Sequence, residues 1–104
     1  MYFWNNKEEE IIGTFISNID DYEDVMLTLK WKNGSEVSAI FDSYIEDEND
    51  YDIEDDNYEE FWSFVFKVSE VKGTPPIYVT EDKFFLINYH NFPYKIIANN
   101  TKIN

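Results

Sequence analysis

The chain has 104 residues, 19% of them aromatic, and a net charge of −14 set by 22 acids against eight lysines, with no Arg and no Cys. That balance repels nucleic acid and anionic membrane, and the missing Arg removes the usual bidentate reader of phosphate and guanine. The missing Cys excludes a disulfide framework, thiolate chemistry and a Cys-based zinc site.

Nine Phe, eight Tyr and three Trp supply enough rings for one modest core, so residues 1–104 are read as a single domain. Met1 to Glu8 lacks the basic start and long apolar run of a signal peptide. No segment approaches the roughly 20 apolar residues that a spanning helix needs. A cytoplasmic location is the expectation.

Glu10 to Ile19 alternates loosely and is read as a first strand, with Gly13 marking a bulge or close backbone approach. After the polar connection Asp20 to Asp24 comes a clear period of two. Val25, Leu27, Leu29 and Trp31 face one way, and Met26, Thr28, Lys30 and Lys32 the other. Asn33-Gly34 marks a hairpin, with Ser35 to Tyr44 as the return strand. A three-residue connection or Gly bulge keeps apolar residues opposite one another, setting Trp31 against Val37, Leu29 against Ala39 and Lys32 against Glu36.

Phe61 to Val71 is a long strand with Trp62, Phe64, Phe66 and Val68 on one face; rings on both faces near its start imply cover on both sides. Pro75-Pro76 breaks the chain and allows only an edge strand at Ile77 to Thr80. Phe84 to Tyr89 and Tyr94 to Ala98 complete the pattern, joined by the corner His90 to Pro93, with 99–104 as a fraying polar tail. Strands spaced at roughly ten residues predict a mainly β domain. The expected architecture is an antiparallel sandwich or partly open barrel of about six or seven strands, with at most one short helix, at Tyr58 to Phe61 or within the acidic stretch.

Between the strands lies Asp42 to Glu60, with eleven acids in nineteen residues and no Lys. A charge run is ordinarily a solvated face. This one is internal, held at both ends by strands and threaded by Tyr44, Tyr51 and Tyr58, and loops on rigid scaffolds are where binding tends to reside. Tyr supplies contact area at little entropic cost. Acid plus tyrosine therefore reads as a surface for a basic protein.

Catalytic chemistry is thin. The one imidazole, His90, is read as a turn residue bonding nearby backbone, and Ser or Thr nucleophiles have no other base. Glu48, Asp50, Asp52, Asp56 and Glu59 match an EF-hand count, but Ile53 stands where that loop needs Gly, so no dedicated metal site is assigned. No cofactor and no catalytic residue is assigned.

The order of the Trp31-Lys32-Asn33-Gly34 hairpin, the acidic segment, Asp55-Asp56-Asn57-Tyr58-Glu59-Glu60 and Tyr89-His90-Asn91-Phe92-Pro93 resembles small bacterial immunity proteins. These accompany polymorphic or contact-dependent growth inhibition toxins. The resemblance covers Trp31 to Pro93 and departs in the acidic segment, which lacks the glycine and proline of that pattern. It implies one cognate toxin partner, a cytoplasmic location and no catalysis.

The leading expectation is an immunity protein that neutralises a basic toxin, a nuclease by electrostatic logic. Its contacts are assigned to Asp42, Tyr44, Glu46, Asp47, Glu48, Asp50, Tyr51, Asp52, Glu54, Asp55, Asp56 and Tyr58. The carboxylates supply field and charge-assisted bonds to Lys and Arg, and the tyrosines anchor. The alternatives are a phage-type DNA mimic blocking a nucleic-acid-binding enzyme and a calcium-binding module.

Overall fold

The computed structural model describes residues 2–98 and 101–102. One helix, α1 (Asn6–Ser17), is followed by a single-turn 3₁₀ helix (Ile19–Tyr22) and the strands β1 (Met26–Lys30), β2 (Glu36–Glu48), β3 (Glu60–Lys72), β4 (Phe84–Ile87) and β5 (Lys95–Ala98). A two-residue strand, β6 (Thr101–Lys102), extends the β5 edge; the rest of the 99–104 tail lies outside the described residues. The strands form one open antiparallel sheet in the order β4-β3-β2-β1-β5-β6.

The expected first strand is a helix. Its start is a capping arrangement in which Asn5 Oδ1 accepts from the Glu8 N–H at 2.8 Å. Glu8, Ile12, Phe15 and Ile16 recur at helical spacing, and all four are buried. Burying three apolar side chains at about 1.5–3 kcal/mol each outweighs the roughly 1 kcal/mol that Gly13 costs inside a helix. The alternation read over Glu10 to Ile19 put large residues on both faces, which a half-buried strand does not need.

That helix also replaces the expected second layer, so the domain is neither a sandwich nor a barrel. Phe15 sits at the centre of the core, within 5.1–6.1 Å of the rings of Tyr22, Phe41, Phe64, Phe66 and Phe92. Leu27, Leu29, Val37, Ala39, Phe64, Phe66, Phe85, Ile87 and Ile96 supply the covered sheet face and are fully buried. The other face is open. Met26, Ile45 and Leu86 lie on it, each more than two-fifths exposed.

The hairpin connection is Lys32-Asn33-Gly34, three residues long. Trp31 N–H donates to Ser35 O at 3.0 Å and Gly34 N–H to Trp31 O at 3.1 Å, with Gly34 at φ +90°. This is a tight turn closed by a left-handed glycine. Apolar residues do oppose one another, but the partners are two residues from those expected: Leu29 faces Val37, Leu27 faces Ala39, and Glu36 pairs with Lys30 at 3.1 Å rather than with Lys32. Ile77 to Thr80 is not a strand. Pro75 and Pro76 have no N–H for a ladder, and the segment closes as turns, Ile77 N–H to Pro75 O and Thr80 N–H to Phe84 O, both at 2.8 Å. Neither Tyr58 to Phe61 nor the acidic stretch contains a helix.

Candidate functional site

The acidic stretch is less a loop than an arm. β2 continues to Glu48, and β3 starts at Glu60, so only the residues from Asn49 to Glu59 form the connection. β1 leaves β2 after the Met26–Ile40 pair and β4 leaves β3 after the Phe64–Ile87 pair. Beyond those points the two strands run on alone, paired from Ile45–Ser63 to Glu48–Glu60. Asp42 is the extra residue of a bulge between the Phe41–Phe66 and Ser43–Val65 pairs, and it marks the base of the arm, where bulges bend and twist a strand. The molecule measures 42 Å along its longest axis and 28 Å across the next.

The two edges of the arm differ. Trp62 N–H points away from β2 and is taken by Glu8 Oε2 at 2.9 Å, while Trp4 N–H donates to Glu8 Oε1 at 2.9 Å. A buried carboxylate thus closes the β3 edge where the next strand would be. Among the described residues the β2 edge of the arm pairs with no further strand. Asn49 N–H bonds Glu59 O across the arm at 3.1 Å, so by alternation the peptide groups of Tyr44, Glu46 and Glu48 face outward. Glu48 N–H is satisfied locally by Asp47 Oδ1 at 2.8 Å.

The tip is fixed by Asn49. Its Oδ1 accepts from Glu59 N–H at 3.2 Å and its Nδ2 donates to Asn57 O at 2.7 Å. Asp55 Oδ1 accepts from Asn57 N–H at 2.8 Å, and Asp55 O accepts from Tyr58 N–H at 3.0 Å. On this frame Asp50, Tyr51, Asp52, Ile53, Glu54 and Asp56 are exposed, with Ile53 at 76%.

The expected contact residues therefore fall into two groups. Asp50, Tyr51, Asp52, Glu54, Asp55 and Asp56 share the tip; Asp42, Tyr44, Glu46, Asp47 and Glu48 lie along β2. Tyr44 packs edge-on to Trp62 at 5.6 Å, and Asp47 is half-buried, accepting from Ser63 Oγ at 3.0 Å. Tyr58 is turned inward: its hydroxyl donates to Glu48 Oε2 at 2.6 Å and its ring meets Trp4 edge-on at 5.9 Å. The bond to Glu48 leads the causes that raise its phenol to about 12.

The arm is charged at a cost. Glu48 and Glu60 stand directly opposite one another, and like charges so placed destabilise a strand pair. Among the described residues the ion pairs are Lys30–Glu36 and His90–Glu59, so within the arm Glu59 alone has an ion-pair partner and no Lys stands at that distance from an arm acid. Four of the eight lysines instead share the sheet's open face: Lys72, Lys30 and Lys95 fall in one cross-strand row with Glu36, and Lys67 is paired with Ile40.

Three features of the site were not foreseen. The first is Glu59, whose Oε1 is 2.7 Å from His90 Nε2 and whose two oxygens each accept from Tyr89 OH at 2.8 Å. His90 thus reaches a carboxylate 31 residues away, not nearby backbone as expected. Desolvation is the largest influence on Glu59 and raises its pKa, but the bonds from His90 and Tyr89 and the charges of His90 and Lys7 outweigh it and hold the carboxyl below its usual range. With Glu59 so engaged and Glu48 bonded to Tyr58, the EF-hand count does not converge. Among the described residues no three His, Asp or Glu side chains stand close enough to share an ion.

The second feature is Glu8, and the third is the segment Tyr2 to Trp4. Trp62 Nε1 donates to Tyr2 O at 2.8 Å, which lays that segment along the arm. Between them is a cleft of about 70 Å³ lined by Tyr2, Trp4, Phe61 and Trp62. Glu8, Glu46, Asp47 and Glu60 complete its lining. The sequence signal for Glu8 was the Asn5-x-x-Glu8 capping box; for the cleft there was none, since its walls are 60 residues apart.

No helix among the described residues is long and apolar enough to cross a membrane. Neither a curated protein nor a solved structure matches the chain. A family model does, over residues 11–100, and its description is "Cognate immunity protein YxxD". The match takes in the helix from Ile11 onward, the whole acidic arm and the Tyr89-His90 corner, and on it the chain belongs to the cognate immunity protein YxxD family.

Proposed function

We propose that this immunity protein neutralises its toxin partner by laying the acidic arm on a basic surface of that toxin, and that the toxin is a nuclease. The observation that carries the reading is the arm itself. A two-stranded projection with eleven acids and no Lys from Asp42 to Glu60 is held in one shape by Asn49, and among the described residues only Glu59 of those acids has an ion-pair partner. Opposed carboxylates that cost stability are expected where function requires the charge. A site that binds a nucleic-acid backbone is cationic, so a nuclease presents the complement to such an arm. Electrostatic steering accelerates capture, which an antidote to a lethal enzyme requires.

The exposed tip acids Asp50, Asp52, Glu54 and Asp56 supply the field, and Tyr44 and Tyr51 supply contact area. Tyr58 serves the arm's own structure through Glu48 and Trp4. The test is to purify the toxin domain of the same locus and follow cleavage of DNA and RNA as this chain is added. The expected result is cleavage that is abolished at one equivalent. A toxin that leaves both nucleic acids intact would overturn the nuclease assignment, and cleavage unaffected by excess chain would overturn neutralisation by direct binding.

A further inference from the structure

We infer that the cleft between the Tyr2–Trp4 segment and the base of the arm is a receptor for one guanidinium group, an arginine side chain of the partner toxin. This rests on the toxin-binding reading above and adds to it a defined anchor point. The walls at Tyr2, Trp4 and Glu8 lie before residue 11, outside the family match.

Size is the first argument. At about 70 Å³ the cleft is far below the roughly 300–1,000 Å³ of pockets for drug-sized ligands and suits one side-chain head group. The lining is the second. Two tryptophans, a tyrosine and a phenylalanine line it, and an aromatic face attracts a cation, the more strongly as water is excluded.

Charge is the third argument. Glu8 is fully buried and accepts two backbone N–H groups, yet no cation stands within ion-pair reach of it among the described residues. Glu46 and Glu60 join it with no cation of their own. Glu46 is paired across the strands with Trp62, and Glu60 with Glu48, so carboxylates and indole share one face of the arm. The cleft thus collects negative charge and π surface, and none of the described residues that line it is a cation. Guanidinium is favoured over ammonium because it is planar, stacks on rings, and sheds water more readily while its fork donates to two carboxylates.

The probe is N-acetyl-arginine amide, titrated into the intact chain while the indole N–H signals of Trp4 and Trp62 are followed by NMR. N-acetyl-citrulline amide is the control, having the same shape without the charge. The expected result is saturable shifts of both indoles with the arginine compound and none with citrulline. The variant E46Q/E60Q should weaken binding about tenfold or more, whereas D52N/E54Q, with equal charge loss at the tip, should stay within about twofold of wild type. Equal binding of the citrulline compound would overturn the inference, as would shifts that ignore Trp4 and Trp62.

In the toxin complex, E46Q/E60Q should weaken affinity at least tenfold more than D52N/E54Q. If both variants matched while the wild-type chain still neutralised the toxin, the anchor would be wrong and the immunity reading would stand. If the wild-type chain failed to neutralise, the broader reading would fall whatever the indoles report.

Discussion

Glu8 is the residue on which the geometry of the site most depends, and Glu8→Gln tests it. The carboxylate accepts from Trp4 N–H and Trp62 N–H, each at 2.9 Å, in a position with no solvent exposure. Bonds to a charged acceptor contribute about 1.5–3 kcal/mol each. Gln keeps one acceptor oxygen and turns an amide NH₂ toward the second backbone N–H, leaving a donor facing a donor. Removing the buried charge returns part of its desolvation cost, so we set the net loss at about 2 kcal/mol, not the full sum of two bonds. For a domain of this size that lowers Tm by roughly 8–16 °C. In urea the midpoint should fall by about 1–2 M, read by tryptophan fluorescence and by circular dichroism. A Tm within about 2 °C of wild type would refute the reasoning, because the carboxylate would then not be fastening the N-terminal segment to β3.

The other predictions are independent of that bond. Gly13→Ala should raise stability by about 0.5–1 kcal/mol, because the new Cβ meets only Glu9 Cγ at 3.8 Å; a loss would contradict the helix. Gly73→Ala should cost more than Gly34→Ala in the same denaturation assay. Both residues have positive φ, but a Cβ at Gly73 stands 3.2 Å from Ser35 Cα and Cβ, while at Gly34 nothing lies within 4 Å. Glu59→Gln should lower Tm at neutral pH, and the difference from wild type should shrink as pH falls. The carboxyl has a depressed folded-state pKa, so its contribution is present above the usual carboxylate range and is lost as pH drops through the folded-state value. A difference that stays constant down to the acid limit of the fold would contradict the His90–Glu59–Tyr89 linkage.

Much of this site was legible in the sequence because it is local. Eleven acids within nineteen residues mark the acidic segment without any structure, and the period-2 faces of β1 and β3 were correctly drawn, as was the three-residue turn. The turn residues fixed the parity of the first hairpin but not its partners, since a shift of two keeps every side chain on its face. What was missed depends on long-range contacts or on competing local signals. Ile11, Ile12, Phe15 and Ile16 suit either period over so short a span, and the deciding signal was the cap at Asn5 and Glu8. The acidic segment was read as a loop because its composition is polar. It pairs because Phe61, Trp62 and Phe64 on β3 give Asp47, Glu46 and Tyr44 apolar partners opposite. The cleft joins Trp4 to Trp62, and no pattern in the chain announces that meeting.

The central claim is that the arm carries binding through its charge. The most direct measurement is the affinity of the purified toxin domain for the wild-type chain and for D50K/D52K/E54K/D56K, at low and physiological salt. Those four side chains are exposed at the tip and make no side-chain hydrogen bond or ion pair among the described residues; reversing them moves the net charge from −14 to −6, two per residue. Association should slow and affinity fall by at least about 100-fold, and the wild-type affinity should itself weaken as salt rises, with Tm unchanged within about 2 °C. Undiminished affinity in a variant that folds as the wild type does would contradict the account, and would place the toxin on another face of the sheet.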